Sequence, residues 1–140
     1  VTIEHGTEAH LVLDTLTKNN IPVLLGPGLC DRSKIELKHL SFENYYSIVE
    51  SGVIISIITD HPVVPIEYLT LSAALAVKNG LSQKEALRAI TINAAKNCRI
   101  DSRVGSLCAG KDADILIMDK YPIDFNAKVI HTFINGNLVK

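Results

Sequence analysis

The chain has few cysteines, no block of like charge and no long apolar run, and each shortage removes a class of function. Cys30, Cys98 and Cys108 are its three thiols, and their odd number and lack of a C-x-x-C spacing argue against a disulfide framework or a structural zinc cluster. They read as reduced thiols of a cytoplasmic protein. The 14 basic and 15 acidic residues are dispersed and leave a net charge of −1, so neither a nucleic-acid groove nor a membrane-binding face is expected. No stretch approaches the roughly 20 apolar residues of a transmembrane helix, and the first residues lack the basic-then-apolar order of a signal peptide. Apolar residues are plentiful instead, 47% of 140, enough for one ordinary domain or two small ones. Because Val1-Thr2-Ile3 reads like the inside of a strand and replaces an initiator Met, a piece of a longer protein is expected.

The run Val53-Ile54-Ile55-Ser56-Ile57-Ile58-Thr59, opened by Gly52 and stopped at Asp60-His61-Pro62, predicts a parallel strand covered on both faces. It delivers a carboxylate and an imidazole to the C-terminal end of a strand, where α/β folds place their chemistry. Upstream, residues 1–4 predict a first strand leaving through His5-Gly6-Thr7, and 21–25 a second leaving through Gly26-Pro27-Gly28. Between them Ala9, Val12, Leu13 and Leu16 form the stripe of a helix over 8–18. Residues 29–40 predict a loop with one helical turn. Ser41 reads as an N-cap and Gly52 as a C-cap around a helix whose stripe is Phe42, Tyr45, Tyr46 and Val49, packing residues. Crossovers of this length join parallel neighbours, so two successive βα units are expected.

Beyond Pro65 a helix is expected over 66–78, a second opened by the capping box Ser82 to Glu85 and reaching about Ile90, and a short third capped by Thr91 through Lys96. After Asn97 the texture changes to a small antiparallel β unit. Residues 104–112 read as turns, 113–119 and 128–134 as strands, and Asn135-Gly136 as a hairpin turn before Leu138-Val139.

Four motifs in this order, Ile3-Glu4-His5-Gly6, Thr59-Asp60-His61-Pro62, Gly105 through Gly110-Lys111-Asp112-Ala113-Asp114-Ile115, and Ile134-Asn135-Gly136-Asn137-Leu138-Val139, resemble the amidohydrolase superfamily, particularly its imidazolonepropionase-like branch. The resemblance implies the C-terminal part, strands six to eight, of a metal-dependent-hydrolase TIM barrel over residues 1–100. The C-terminal segment of a composite β-sandwich would follow over 101–140. It further implies a divalent metal, zinc first and iron or manganese as alternatives, that activates water to hydrolyse a C–N bond of a small-molecule substrate.

By that likeness Asp60 binds the metal and shuttles the proton from water to the leaving nitrogen, against a plain role capping a turn. His5 either ligates a second metal or, in a one-metal enzyme, hydrogen-bonds substrate or hydroxide, against a turn histidine satisfied by backbone. His61, Gly26 and Gly28 are possible pocket residues; adjacent strand residues point oppositely, so Asp60 and His61 need not share a target. His10, His39 and His131 read as surface or half-buried histidines, and Cys30 lacks an evident partner base. The family's remaining ligands have no counterpart here, so the chain alone is expected to be silent. Its open strand edges are expected to be covered by a homo-oligomer or by the missing N-terminal barrel part. The competing reading is a non-catalytic half-barrel interaction module.

Overall fold

The computed structural model describes all 140 residues. Strands β1 (Val23–Leu25) and β2 (Ile55–Ile57) pair in parallel, Val23 opposite Ile55 and Leu25 opposite Ile57. The expected first strand over 1–4 is reduced to a single parallel bridge between Ile3 and Val23. The Ile3 amide donates to Pro22 O at 3.1 Å, and the Leu24 amide donates to Ile3 O at 2.8 Å. Thr2 and Glu4 are exposed, and His5 enters the left-handed region at φ 53°, which ends the extended run.

The helix expected over 8–18 is broken. A 3-10 turn, Ala9–Leu11, precedes α1 (Leu13–Lys18), and Val12 between them has φ −132°, outside helical space. Ala9 and Leu16 are buried, whereas β-branched Val12 is half exposed. The loop over 29–40 contains one 3-10 turn at Ile35–Leu37, as expected. In α2 (Glu43–Glu50) Ser41 Oγ accepts the Glu43 amide at 3.2 Å, and Gly52, at φ 88°, ends the helix with its amide on Val49 O. Tyr45 and Ile48 form the buried face. Tyr46, expected to pack, is 48% exposed and lies across Gly80, because one helical step rotates it about 100° from Tyr45.

β2 is shorter than the apolar run that contains it, but Val53 and Thr59 beyond its ends are also buried, and Ile54 alone is largely exposed. Helices α3 (Leu69–Lys78), α4 (Gln83–Ala89) and α5 (Ile92–Asn97) cover it. Ala73, Ala76, Ala86 and Ala89 are fully buried, so α3 and α4 meet through small side chains. Ser82 Oγ accepts the Glu85 amide at 3.1 Å, the expected cap of α4. Thr91 does not cap α5; its hydroxyl donates back to Leu87 O at 2.7 Å, a competing local bond open to Thr. Val23, Leu25, Ile48, Ile55 and Ile57 centre the core, each worth about 1.5–3 kcal/mol of burial.

Two side-chain amides, buried Asn93 and half-buried Asn97, complete β2. Ile54 O accepts from Val23 N, so in a parallel ladder the backbone of Ile55 turns to the opposite edge. There Asn93 Nδ2 donates to Ile55 O at 3.0 Å, and Asn97 Nδ2 donates to Ser56 Oγ at 2.7 Å. The C-terminal sheet is antiparallel in the order β3 (Ile115–Met118), β4 (Val129–Ile134), β5 (Asn137–Leu138). Asn135 (φ 49°) and Gly136 (φ 77°) make the two-residue turn with both residues left-handed, as that hairpin type demands. Ile123 ties this region into the core, while Leu116, Ile130 and Ile134 remain about half exposed. The fold is mixed α/β, and none of its helices is long and apolar enough to cross a membrane.

Candidate metal-binding strand ends

All three parallel segments leave the sheet through irregular backbone, and those exits converge. His5 follows the Ile3 bridge, Gly26 follows β1, and Asp60 lies three residues beyond the end of β2. His5 and Asp60 both hold left-handed conformations, φ 53° and φ 52°. Asp and His are among the non-glycine residues that adopt this region most readily, and paired strain of this kind gathers at functional sites. The two left-handed turns point the side chains at each other: His5 Nε2 lies 3.1 Å from Asp60 Oδ2. The side chains are 46% and 42% exposed, so the pair sits at an open surface.

The separation has chemical meaning. It is a hydrogen-bond length, and it also suits a shared cation, since two ligands about 2.0–2.2 Å from one tetrahedral ion stand about 3.3–3.5 Å apart. An imidazole nitrogen and a carboxylate oxygen are the donors that zinc, iron and manganese accept. The pair therefore fits a metal with a shift of a few tenths of an ångström. It does not complete a site, for no group of three or more His, Cys, Asp or Glu side chains is placed to hold an ion.

The other sequence candidates divide. His61 is exposed and makes no ion pair with Asp60 or His5. Gly26 has φ 134°, and a Cβ there would strike the Ile58 carbonyl oxygen; Gly28 lies against the Phe42 ring, which a Cβ would overlap. Both glycines let the β1 exit pack tightly against its neighbours. Cys30 is half-buried with its thiol on Pro27 O at 3.1 Å, and all three cysteines are free. His131 sits on β4 with Nδ1 3.3 Å from Lys140 O.

Sequence reasoning missed the ties around the His5 exit. Thr7 Oγ1 donates to Glu36 O at 2.9 Å, Glu8 lies 3.8 Å from His39 Nε2, and His39 meets His10 edge to face. These join residues about thirty positions apart, and nothing in local spacing announces them. His10 Nδ1 and Tyr45 Oη are buried without hydrogen-bond partners. Burial, with the Cys30 thiol adding to it, pushes the Tyr45 phenol far above its ordinary 10.0. Two wide cavities, about 660 and 600 Å³, lie between α3–α5 and the C-terminal region. Neither is lined by His5 or Asp60, so size alone does not mark the chemistry; the convergence of donors does.

These features define an α/β protein with its polar groups gathered at C-terminal strand ends. The sequence profile of the Amidohydrolase family matches residues 1–139, and the chain belongs to that family. It is 36% identical over 112 residues to the imidazolonepropionase of Thermoplasma volcanium, an overlap of 71% of this chain and 26% of that protein. It superposes on an amidohydrolase from Thermotoga maritima MSB8 with a TM-score of 0.94 and 39% identity, over 99% of this chain and 36% of that one. A zinc-bound adenosine deaminase from Xanthomonas campestris shares the fold at a TM-score of 0.67 and 18% identity, over 98% of this chain and 36% of that one. The chain thus spans about a quarter to a third of the length of these relatives.

Proposed function

We propose that this chain forms the sixth to eighth strand units of a metal-dependent amidohydrolase barrel, residues 1–100, and the closing part of its β-sandwich, residues 101–140. The observation that carries the reading is the His5–Asp60 pair at 3.1 Å across two strand exits, in a chain of this family. His5 and Asp60 would hold a divalent metal, zinc first by their donors, with iron or manganese as alternatives. When bound, that ion supplies Lewis acidity and a nucleophilic water.

The remaining chemistry belongs to the residues. With the ion absent, His5 Nε2 and Asp60 Oδ2 hold each other at 3.1 Å, so both donors already face one point. The Asp60 carboxylate takes a proton from the attacking water and delivers it to the leaving nitrogen, so the C–N bond of a small cyclic amide, amidine or peptide-like substrate breaks without expelling an amide anion. Gly26 and Gly28 keep the β1 exit low, leaving room above the pair.

Two donors fall short of the three protein ligands of a catalytic zinc site, so the 140-residue chain alone is catalytically silent. The edge of the Ile3 segment away from β1, with Thr2 and Glu4 exposed, calls for a covering partner, either the first strands of the barrel or a second copy of this chain. Three free thiols support a reducing, cytoplasmic setting. The test is hydrolysis by the full polypeptide of cyclic amides, formamides and dipeptides, before and after chelation. Activity should vanish on chelation and return with zinc, and Asp60→Asn should lower kcat by about 100- to 10,000-fold. Full turnover in Asp60→Asn would refute the proton-shuttle role, and a protein that hydrolyses nothing would favour the interaction module.

A further inference from the structure

The two site residues are held in unlike ways. Asp60 begins a turn that closes on itself: the Val63 amide donates to Asp60 O at 2.8 Å, and the Val64 amide donates to Thr59 O at 3.2 Å. At His5 the local closure is a three-residue one, the Thr7 amide on His5 O at 2.6 Å. The other anchors come from distant segments. The Gly6 amide donates to Leu24 O at 3.1 Å, and Thr7 Oγ1 donates to Glu36 O at 2.9 Å, 29 positions away. A histidine at φ 53° keeps that conformation only while its surroundings hold it.

The acceptor of the Thr7 hydroxyl is itself braced. Glu36 lies in the 3-10 turn Ile35–Leu37, whose own bonds run from the Leu37 amide to Lys34 O and from the Lys38 amide to Ile35 O, leaving the Glu36 carbonyl for Thr7. Behind the turn, buried Leu40 accepts Arg32 Nη2 on its carbonyl at 2.6 Å, and Asn44 Nδ2 donates to His39 O at 2.8 Å. A second tie between the same segments, Glu8 to His39 at 3.8 Å, joins two exposed side chains and contributes little. Half-buried Thr7 therefore carries the connection, and His5, Thr7 and Glu36 flank one groove of about 390 Å³. These contacts are internal to the chain and do not depend on what covers its open edges.

We infer that Thr7 is a positioning residue for the metal ligand His5: its hydroxyl, seated on the Glu36 carbonyl, holds the strand exit in the turn that brings Nε2 to Asp60. The inference rests on the metal-site reading and adds the residue that presents one of its two ligands. Because the tie reaches His5 through the backbone, its loss weakens the hold on the ion at His5 and leaves the Asp60 turn unmoved.

The test uses the full polypeptide with Thr7→Val, which keeps the shape and removes the hydroxyl, and Thr7→Ser, which keeps the hydroxyl. Zinc affinity is measured by competition with a chelator, and amide hydrogen exchange is followed in the metal-free protein. Thr7→Val should weaken zinc binding by about 10-fold, the lower end of what losing an outer support of a metal ligand costs, and Thr7→Ser should restore the parent value. In the His5→Ala background Thr7→Val should cost nothing further, which a general loss of folding would not reproduce. Without metal, exchange at the Gly6 amide should quicken in Thr7→Val while the Val63 amide, on the Asp60 turn, keeps its rate. Parent affinity in Thr7→Val, the same loss with His5 already removed, or equal quickening at Gly6 and Val63 would overturn the positioning role and leave the metal site standing. A parent protein that binds no zinc would refute the metal site, and the Gly6 amide would then decide the tie: quickened exchange sustains it, and an unchanged rate overturns it.

Discussion

Replacing Gly26 with alanine separates backbone strain from steric collision at the exit of β1, and Gly52→Ala is its control. Both glycines have positive φ, 134° and 88°, so a side chain strains either one. A Cβ at Gly52 meets nothing within 4 Å, and its cost is conformational, about 1–2 kcal/mol. At Gly26 the Cβ would also strike the Ile58 carbonyl oxygen, a backbone atom of the β2 exit. Ile58 N donates to Leu25 O at 2.9 Å, so this oxygen cannot retreat without disturbing the β1–β2 pairing. The collision should add about 1–3 kcal/mol, the cost of overpacking, for a total of about 2–5 kcal/mol. With a urea m-value of about 2 kcal/mol/M, the unfolding midpoint should fall by about 0.5–1 M for Gly52→Ala and about 1–2.5 M for Gly26→Ala. Urea titration by circular dichroism reads both. Equal midpoints would refute the account of the exit.

Asn93→Ala should destabilise by about 1–3 kcal/mol in the same titration, because it strips the donor from the buried Ile55 carbonyl. Ser82→Ala should cost about 1 kcal/mol by removing the cap of α4. Tyr45→Phe removes a buried hydroxyl without a partner and should leave stability at pH 7 unchanged or slightly raised. The phenol also fixes a pH dependence. Its folded pKa lies above the unfolded 10.0, so the unfolded chain releases this proton first; the contribution is intact below pH 10 and declines as pH rises beyond it. Stability measured from pH 9 to 11 should fall less steeply in Tyr45→Phe.

The elements that could be read in the sequence are those whose signal is local. The apolar run ending at Asp60, the Ser82 cap, the Gly52 helix end and the Asn135-Gly136 turn each appear where their residue types require them. The misread elements depended on neighbours. Residues 1–4 have strand composition, yet a strand needs ladders, and Ile3 alone finds one. The stripe over 8–18 was helical in period, but Val12 leaves helical space. Thr91 has the right type for a cap and spends its hydroxyl on the preceding turn. At the site, Asp60 and His5 stood out by their positions at strand ends. Their mutual approach comes from two left-handed turns 55 residues apart (60 − 5), which no local pattern encodes.

Metal content of the purified full polypeptide, by elemental analysis beside Asp60→Ala and His5→Ala, tests the central claim most directly. The account predicts near-stoichiometric divalent metal in the parent protein and a marked loss in both variants, with circular dichroism showing that each remains folded. Metal retained at the parent level in both variants would contradict it, for the ion would then be held without the two residues that the strand exits bring together.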